Sequence, residues 1–383
     1  MKKIRIMFGC IGILCGGVIF ISVVKYIKMD KIEIDPKKDY FLISEDNTFR
    51  DFPYMLGNRL SLLAEDSKMP VAHMGGFCRG FDQFHYSKGY LCYKKTYSSS
   101  LLISTMFIDR DRLYVCSLSP KKTIKEIENV DRYVLEGEKL IYEDTKGHLH
   151  YYNIKTEEKQ EIEWKWKDYW NIAIDNIRWK DRENFYILND DRKRLFCYSI
   201  KDGKAVRIAE TEESILGVIP TGESVLLYLE SGEIIKYSIP NQESEVLISG
   251  INASIYRESE GIWWGQMINS NVIGCPFSIG GDGRLYYDNN LKLYAYDFQE
   301  KATEEIVSFG DMEKYRPKDE LENDSVYGSY SYVIGKDGII ISKSGNESGK
   351  HIVYYDFEGK LKSKKLVKFP QWETNEYARN FAY

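Results

Sequence analysis

A six-residue phrase of apolar and polar positions recurs along this chain: LHYYNI from Leu149, LFCYSI from Leu195, IIKYSI from Ile234, LYAYDF from Leu293 and IVYYDF from Ile352. LYVCSL from Leu113 is a weaker copy, and YLCYKK from Tyr90 is weaker still. Each strong copy carries an aliphatic residue first, Tyr fourth, a small polar or acidic residue fifth, and Ile or Phe sixth. This pattern predicts a β-strand. Alternation puts the fourth-position tyrosines Tyr152, Tyr198, Tyr237, Tyr296 and Tyr355 on one face with positions two and six. Positions one and three load the opposite face with further bulk, as expected of a strand covered on both sides by stacked sheets.

Polar turns follow each phrase, as at Lys201-Asp202-Gly203 and Glu358-Gly359-Lys360, and a second apolar stretch comes after them. Turns also precede it, as at Lys146-Gly147 and Ser231-Gly232, behind strands such as KLIYED and VLLYLE. The predicted unit is an antiparallel meander joined by hairpins. From Leu113 onward the copies start 36, 46, 39, 59 and 59 residues apart, a spacing that suits one four-stranded propeller blade per copy once the two long intervals are given insertions. Gly265 to Gly283 and Gly310 to Tyr327 supply those insertions, and insertions into repeats project from one face, often the binding face. The gap from Tyr90 to Leu113 is too short for a blade, so residues 75–118 are one irregular blade or two incomplete ones. The expected fold is all-β, a β-propeller of six or seven four-stranded antiparallel blades; a β-sandwich with Tyr-rich strands is the competing reading.

The N-terminus changes the picture from fold to address. Lys2, Lys3 and Arg5 precede an uncharged apolar run from Ile6 to Val24, closed by Lys25 and Lys28. The run is close to the length that crosses a bilayer. No small-x-small cleavage site follows it, which favours an anchor over a cleaved signal peptide. The basic residues lie mostly ahead of it, so the start is expected in the cytoplasm and the rest outside. The expected organisation is residues 1–29 as basic start and transmembrane signal anchor, 30–54 as a charged stalk, and 55–383 as the propeller. The chain carries a net charge of −5, and because residues 1–30 hold five basic and one acidic side chain, the remainder carries −9. With no basic patch, nucleic acid is not an expected partner.

Candidate chemistry is sparse. Five cysteines lie beyond the anchor, Cys78, Cys92, Cys116, Cys197 and Cys275, with no paired spacing; those in strand phrases read as structural thiols. No metal site and no cofactor are expected. His148 and His150 share a strand face at a spacing that could hold a metal, but their place beside a hairpin turn reads as solvated. No catalytic residue is assigned: the sequence has no G-x-S-x-G elbow, HExxH helix or phosphate loop. Gly280-Gly281-Asp282-Gly283 reads as a tight hairpin turn rather than a ligand loop. Exposed aromatics beside polar groups stack on sugars or anchor proteins, and EWKWKDYW offers Trp164, Trp166, Tyr169 and Trp170 as ligand-binding candidates, with Trp179 and Trp263-Trp264 as further rings. The competing reading for such rings is wedge filling between blades. The acidic stretch from Asp311 to Ser325 reads as a solvated insertion.

The phrases LHYYNI, LFCYSI and LYAYDF with their turns resemble extracytoplasmic TolB-like β-propellers. The stretch from Gly57-Asn58 through Gly75-Gly76-Phe77 to HYSKGYLCYKK resembles the opening of a Gram-positive propeller family of unknown function; together the likeness covers roughly residues 55–369. These motifs specify blade strands and no catalytic position. The expectation is a membrane-anchored, single-pass, extracytoplasmic module that binds a protein or cell-envelope ligand without catalysis. The alternatives are a propeller hydrolase acting on glycans, and a sensor or accessory subunit of a transport or secretion system.

Overall fold

The computed structural model describes residues 34–35, 40–46, 58–73, 78–98, 106–118, 121–162, 177–189, 191–252, 277–290, 292–309, 330–344 and 350–367. The apolar run Ile6 to Val24 lies outside them. Among the described residues no helix is long and apolar enough to cross a membrane. The chain divides into two compact units, residues 1–130 and 131–383.

The fold is all-β, with six four-stranded antiparallel blades of the propeller type and one three-stranded sheet. In the first unit the three-stranded sheet is β1 (Phe41–Asp46), β2 (Asn58–Leu63) and β3 (Lys68–His73). Strand β1 lies inside the stretch expected as a charged stalk and pairs along its full length with β2. Blade 1 is β4 (Cys78–Ser87), β5 (Tyr90–Ser98), β6 (Met106–Leu118) and β7 (Lys121–Glu128). This corrects the reading of YLCYKK as a separate copy of the phrase. It is the second strand of the blade whose third strand carries LYVCSL, so the short interval is one hairpin.

The second unit holds the other five blades. Blade 2 is β8 (Val130–Glu136), β9 (Lys139–Asp144), β10 (Leu149–Asn153) and β11 (Lys159–Ile162), with Val130 belonging to the first unit. Blade 3 is β12 (Arg178–Trp179), β13 (Asn184–Leu188), β14 (Arg194–Ser199) and β15 (Lys204–Glu210). Blade 4 is β16 (Ile215–Thr221), β17 (Ser224–Leu229), β18 (Ile234–Ser238) and β19 (Glu243–Ile248); blade 5 is β20 (Phe277–Ile279), β21 (Leu285–Asn289), β22 (Lys292–Asp297) and β23 (Ala302–Ser308). Blade 6 is β24 (Tyr330–Ile334), β25 (Ile339–Ser344), β26 (Lys350–Tyr355) and β27 (Leu361–Val367). Every strong phrase is the third strand of its blade. The tail of the insertion expected at Gly265 to Gly283 is itself strand β20 and the hairpin after it.

Alternation explains how these blades stack. In one apolar cluster Leu149 and Tyr151, positions one and three of blade 2, meet Phe196, Tyr198 and Ile200, positions two, four and six of blade 3. The same rule joins Leu195 and Cys197 to Ile235, Tyr237 and Ile239, and Leu293 and Ala295 to Val353, Tyr355 and Phe357. Odd positions face the following blade and even positions face the preceding one. In the first unit Tyr114, Cys116 and Leu118, the even positions of the weak copy, pack with Leu60, Leu62, Val71 and Ala72 of the three-stranded sheet. That sheet therefore covers blade 1 as one blade covers the next.

The polar fifth position caps the turn after the phrase. The Asn153 side-chain oxygen accepts from the N–H groups of Lys155 and Thr156 at 2.9 and 3.0 Å. Asp297 accepts from Gln299 and Glu300 at 2.7 and 3.0 Å, Asp356 from Lys360 at 2.7 Å, and the Ser199 hydroxyl from Asp202 at 3.2 Å. Such side-chain caps supply the turn with partners its backbone lacks.

The GGDG stretch is a hairpin turn in which two glycines do different things. Gly283 has φ +84° with open space where a Cβ would stand, whereas a Cβ on Gly281 would land on the carbonyl group of Lys336 in the facing turn of blade 6. Gly281 N–H donates to Gly335 O at 3.0 Å across this contact. Gly283→Ala is expected to cost about 1–2 kcal/mol, the strain of a left-handed residue. Gly281→Ala is expected to cost about 3 kcal/mol, because blades 5 and 6 must separate. Urea unfolding of the two variants checks the order; equal losses would remove the close-approach account.

Candidate functional site

Antiparallel order gives each blade two distinct edges. The turns between first and second strands and between third and fourth strands lie on one edge. The turn between second and third strands lies on the other, together with the connection from each fourth strand to the next blade. In blades 2–6 the turns of the first edge run two to five residues, while the second edge carries the connections 163–177, 249–276 and 309–329.

Buried polar residues mark the same edge. Among the described residues the buried polar or charged side chains are Ser61, Lys94, His150, Asn189 and Asp288. The last three stand beside the turn between second and third strands in blades 2, 3 and 5. Lys94, in the first unit, donates from Nζ to the carbonyl of Val130 at 2.7 Å. Sequence patterning missed Lys94 and Asp288, because each opens a polar run, Lys94-Lys95 and Asp288-Asn289-Asn290, and so reads as the end of an apolar stretch.

In blade 2 the turn is organised by Asp144. Its Oδ1 accepts from the N–H groups of Lys146 and His148, each at 2.9 Å. Its Oδ2 lies 3.2 Å from both His148 Nδ1 and His150 Nε2. The two histidines share a face, as alternation predicts, but their surroundings differ. His148 is exposed, while His150 is buried and stacked on Tyr142 at 4.9 Å between ring centroids. The solvated-turn reading therefore holds for His148 and is corrected for His150, whose ring is covered by Tyr142. Among the described residues no group of three or more His, Cys, Asp or Glu side chains is disposed to hold a metal ion. In blade 3 Asn189 serves as the cap: its Oδ1 accepts from Arg194 N–H at 2.8 Å. In blade 5 Asn289 Oδ1 accepts from Asn252 N–H at 3.0 Å, which ties the turn to the stem of connection 249–276.

Trp164, Trp166, Tyr169 and Trp170 lie outside the described residues, on the connection that leaves Ile162 and returns at Ile177. Trp263, Trp264 and the acidic stretch Asp311 to Ser325 lie outside them as well. Both ends of the Trp164 connection are buried anchors, Ile162 at 3% and Ile177 at 1% exposure. Trp179 follows the wedge-filling reading: it is buried between blades 2 and 3, edge-on to Tyr151 and Phe185, with Lys139 Nζ 4.3 Å from its ring centroid. Cys92, Cys116 and Cys197 sit in strands, the first two buried; burial pushes the Cys92 and Cys197 thiols up, which suits packing and not nucleophilic chemistry.

No protein-family model matches this chain, and no curated protein sequence matches it. Among solved structures it is similar to Hsv2 of Kluyveromyces lactis, at 10% identity and a TM-score of 0.44 over 81% of this chain and 93% of that one. PorZ, a surface component of the type-IX secretion system of Porphyromonas gingivalis, is 9% identical with a TM-score of 0.44 over 75% of this chain and 33% of that one. Acylaminoacyl peptidase of Pyrococcus horikoshii is 12% identical with a TM-score of 0.45 over 73% and 45%. Likeness at this level carries no argument about ligand or activity.

Asp144 provides a test of the edge. Burial works against its charge, but the N–H groups of His148 and Lys146 and both imidazoles outweigh it and hold the carboxyl at about 2, below the ordinary 3.8. A depressed folded-state value stabilises the fold above about pH 4, and that contribution is lost as pH falls toward 2. Asp144→Asn is expected to remove about 1–2 kcal/mol at pH 6 and to flatten the stability profile between pH 4 and 2. Chemical unfolding across that range checks it; an unchanged slope would detach Asp144 from the stability of the turn.

Proposed function

We propose that this chain is a membrane-anchored, extracytoplasmic binding module of the TolB-like propeller kind, non-catalytic, whose ligand is a protein or a cell-envelope glycan. The observation that carries the reading is the coincidence on one blade edge of three buried polar residues and the three longest connections. A rigid stack with a single elaborated edge suits recognition. The candidate contact residues are Trp164, Trp166, Tyr169 and Trp170, of which Trp164 and Trp166 alternate with lysines in sequence, and their connection leaves from this edge. The anchor is the run Ile6 to Val24, with the basic start on the cytoplasmic side.

Fractionation tests the address. The intact chain is expected in the membrane fraction and degraded by protease added outside the cell, and a chain lacking residues 1–29 is expected to be soluble. A full-length chain that stays soluble, or is protected from external protease, would sink the anchored reading.

Photo-crosslinking in cells tests the face. A photoreactive residue at position 166 is expected to give one dominant adduct, absent from a control at position 202 on the opposite edge. Trp164→Ala with Trp170→Ala is expected to weaken the adduct at least tenfold, the loss of one or two aromatic anchors at 1–2 kcal/mol or more each. Equal labelling from both positions, or none, would overturn the assignment of this edge.

A further inference from the structure

The two longest connections, 249–276 and 309–329, share one buried fastening in the second unit. Phe277 ends the first connection, and its ring lies 5.9 Å from that of Tyr228 in β17. Phe309 opens the second, and its ring lies 5.9 Å from that of Tyr332 in β24. Between the two tyrosines stands Asp288 of β21. Its Oδ1 accepts from the Tyr332 hydroxyl at 3.1 Å, and its charge, after burial itself, raises the Tyr228 phenol. All five side chains are at most 4% exposed. The residues after Asp288 reach the other end of the first connection: Asn289 and Asn290 accept from the backbone and side-chain N–H groups of Asn252, each at 3.0 Å.

A carboxylate here is not demanded by blade architecture. The corresponding second-strand position, opposite the first residue of each phrase, is a half-buried Glu143 in blade 2, Leu188 in blade 3, Tyr228 in blade 4 and Ser342 in blade 6. Leu188 is buried at 3%, so an apolar side chain suffices for stacking. Burying a carboxylate is costly unless it is held by specific partners, and the Tyr332 hydroxyl that holds Asp288 comes from the next blade.

We infer that Asp288 is a positioning residue that fastens the stems of the two longest connections, Asn252 and Phe277 on one side and Phe309 on the other, to each other at the edge proposed to meet the partner. The inference rests on the reading that this edge binds the partner, but the linkage itself is measurable with no partner present.

Hydrogen exchange in the full-length chain tests it. Tyr332→Phe removes one hydroxyl and leaves the ring on Phe309. It is expected to speed exchange about tenfold at the far stem, Phe277–Ile279, as well as at Val307–Phe309, with Phe185–Leu188 unchanged. Asp288→Leu should do the same, while Asp288→Asn, which keeps an acceptor oxygen, should restore slow exchange at both stems. Faster exchange confined to the stem beside the altered residue, acceleration throughout the chain, or no rescue by Asn would each overturn the linkage. Failed crosslinking with intact linkage would instead remove the binding edge.

Discussion

Two-sided burial of the third strand is the constraint on which the rest of the molecule depends. A strand with neighbours on both faces must be apolar at odd and even positions alike, which is why the phrase admits so little polarity before its fifth residue. Magnitudes decide what it tolerates. A buried aromatic side chain removes roughly 150–250 Å² from water, worth about 4–6 kcal/mol at 25 cal/mol per Å², whereas an unpaired buried hydroxyl costs about 1–3 kcal/mol. Tyr186, fully buried with no hydrogen-bond partner for its hydroxyl among the described residues, is thus stable where it stands. Tyrosine serves these blades as a large ring first and a polar group second.

Stacking also dictates how the outer strands end. Three of the fourth strands carry a bulge opposite positions one and two of the phrase, and the extra residues are Ile208, Leu247 and Ile306. Each bulge delivers two consecutive apolar residues toward the stack from a strand whose remaining positions are mostly exposed. The exposed positions are rich in charge, as at Glu243, Glu245, Glu304 and Glu305, with Lys301 of blade 5 paired to Glu245 of blade 4 at 2.8 Å. Bulges and charges together disfavour strand addition along the rim, even though Val206 and Val246 stand exposed there.

What was legible in the sequence follows from periodicity, and what was not follows from its limits. The facing rule for Tyr152, Tyr198 and Tyr355 was readable because alternation has no alternative in a strand. The fifth-position caps were visible as polar residues, though not as hydrogen bonds. The 23-residue gap before Leu113 misled because YLCYKK has the phrase's bulk while belonging to a second strand, and bulk alone does not distinguish neighbouring strands in one hairpin. His150 reads as turn residue by proximity to Gly147, yet one residue past the strand start already lies under Tyr142. Asp288 was invisible: LYYDNN looks like a strand running into a polar turn, and only the facing blade reveals that the acid is inside.

These features narrow where specificity can reside. The stacked faces are filled by neighbouring blades, the rim is bulged and charged, and the edge with short turns is closed by its own caps and by glycines such as Gly281 pressed against the next blade. Side chains in those places answer to packing, so changing them changes the fold before it changes recognition. The opposite edge has a different economy: its connections vary in length without disturbing register, because their ends are held by buried anchors such as Ile162, Ile177, Phe277 and Phe309. A carboxylate placed among those anchors, where an aliphatic residue would have served the stack, makes sense if the geometry of the connections matters more than the stability it costs. That is the physical reason to look for the partner at this edge.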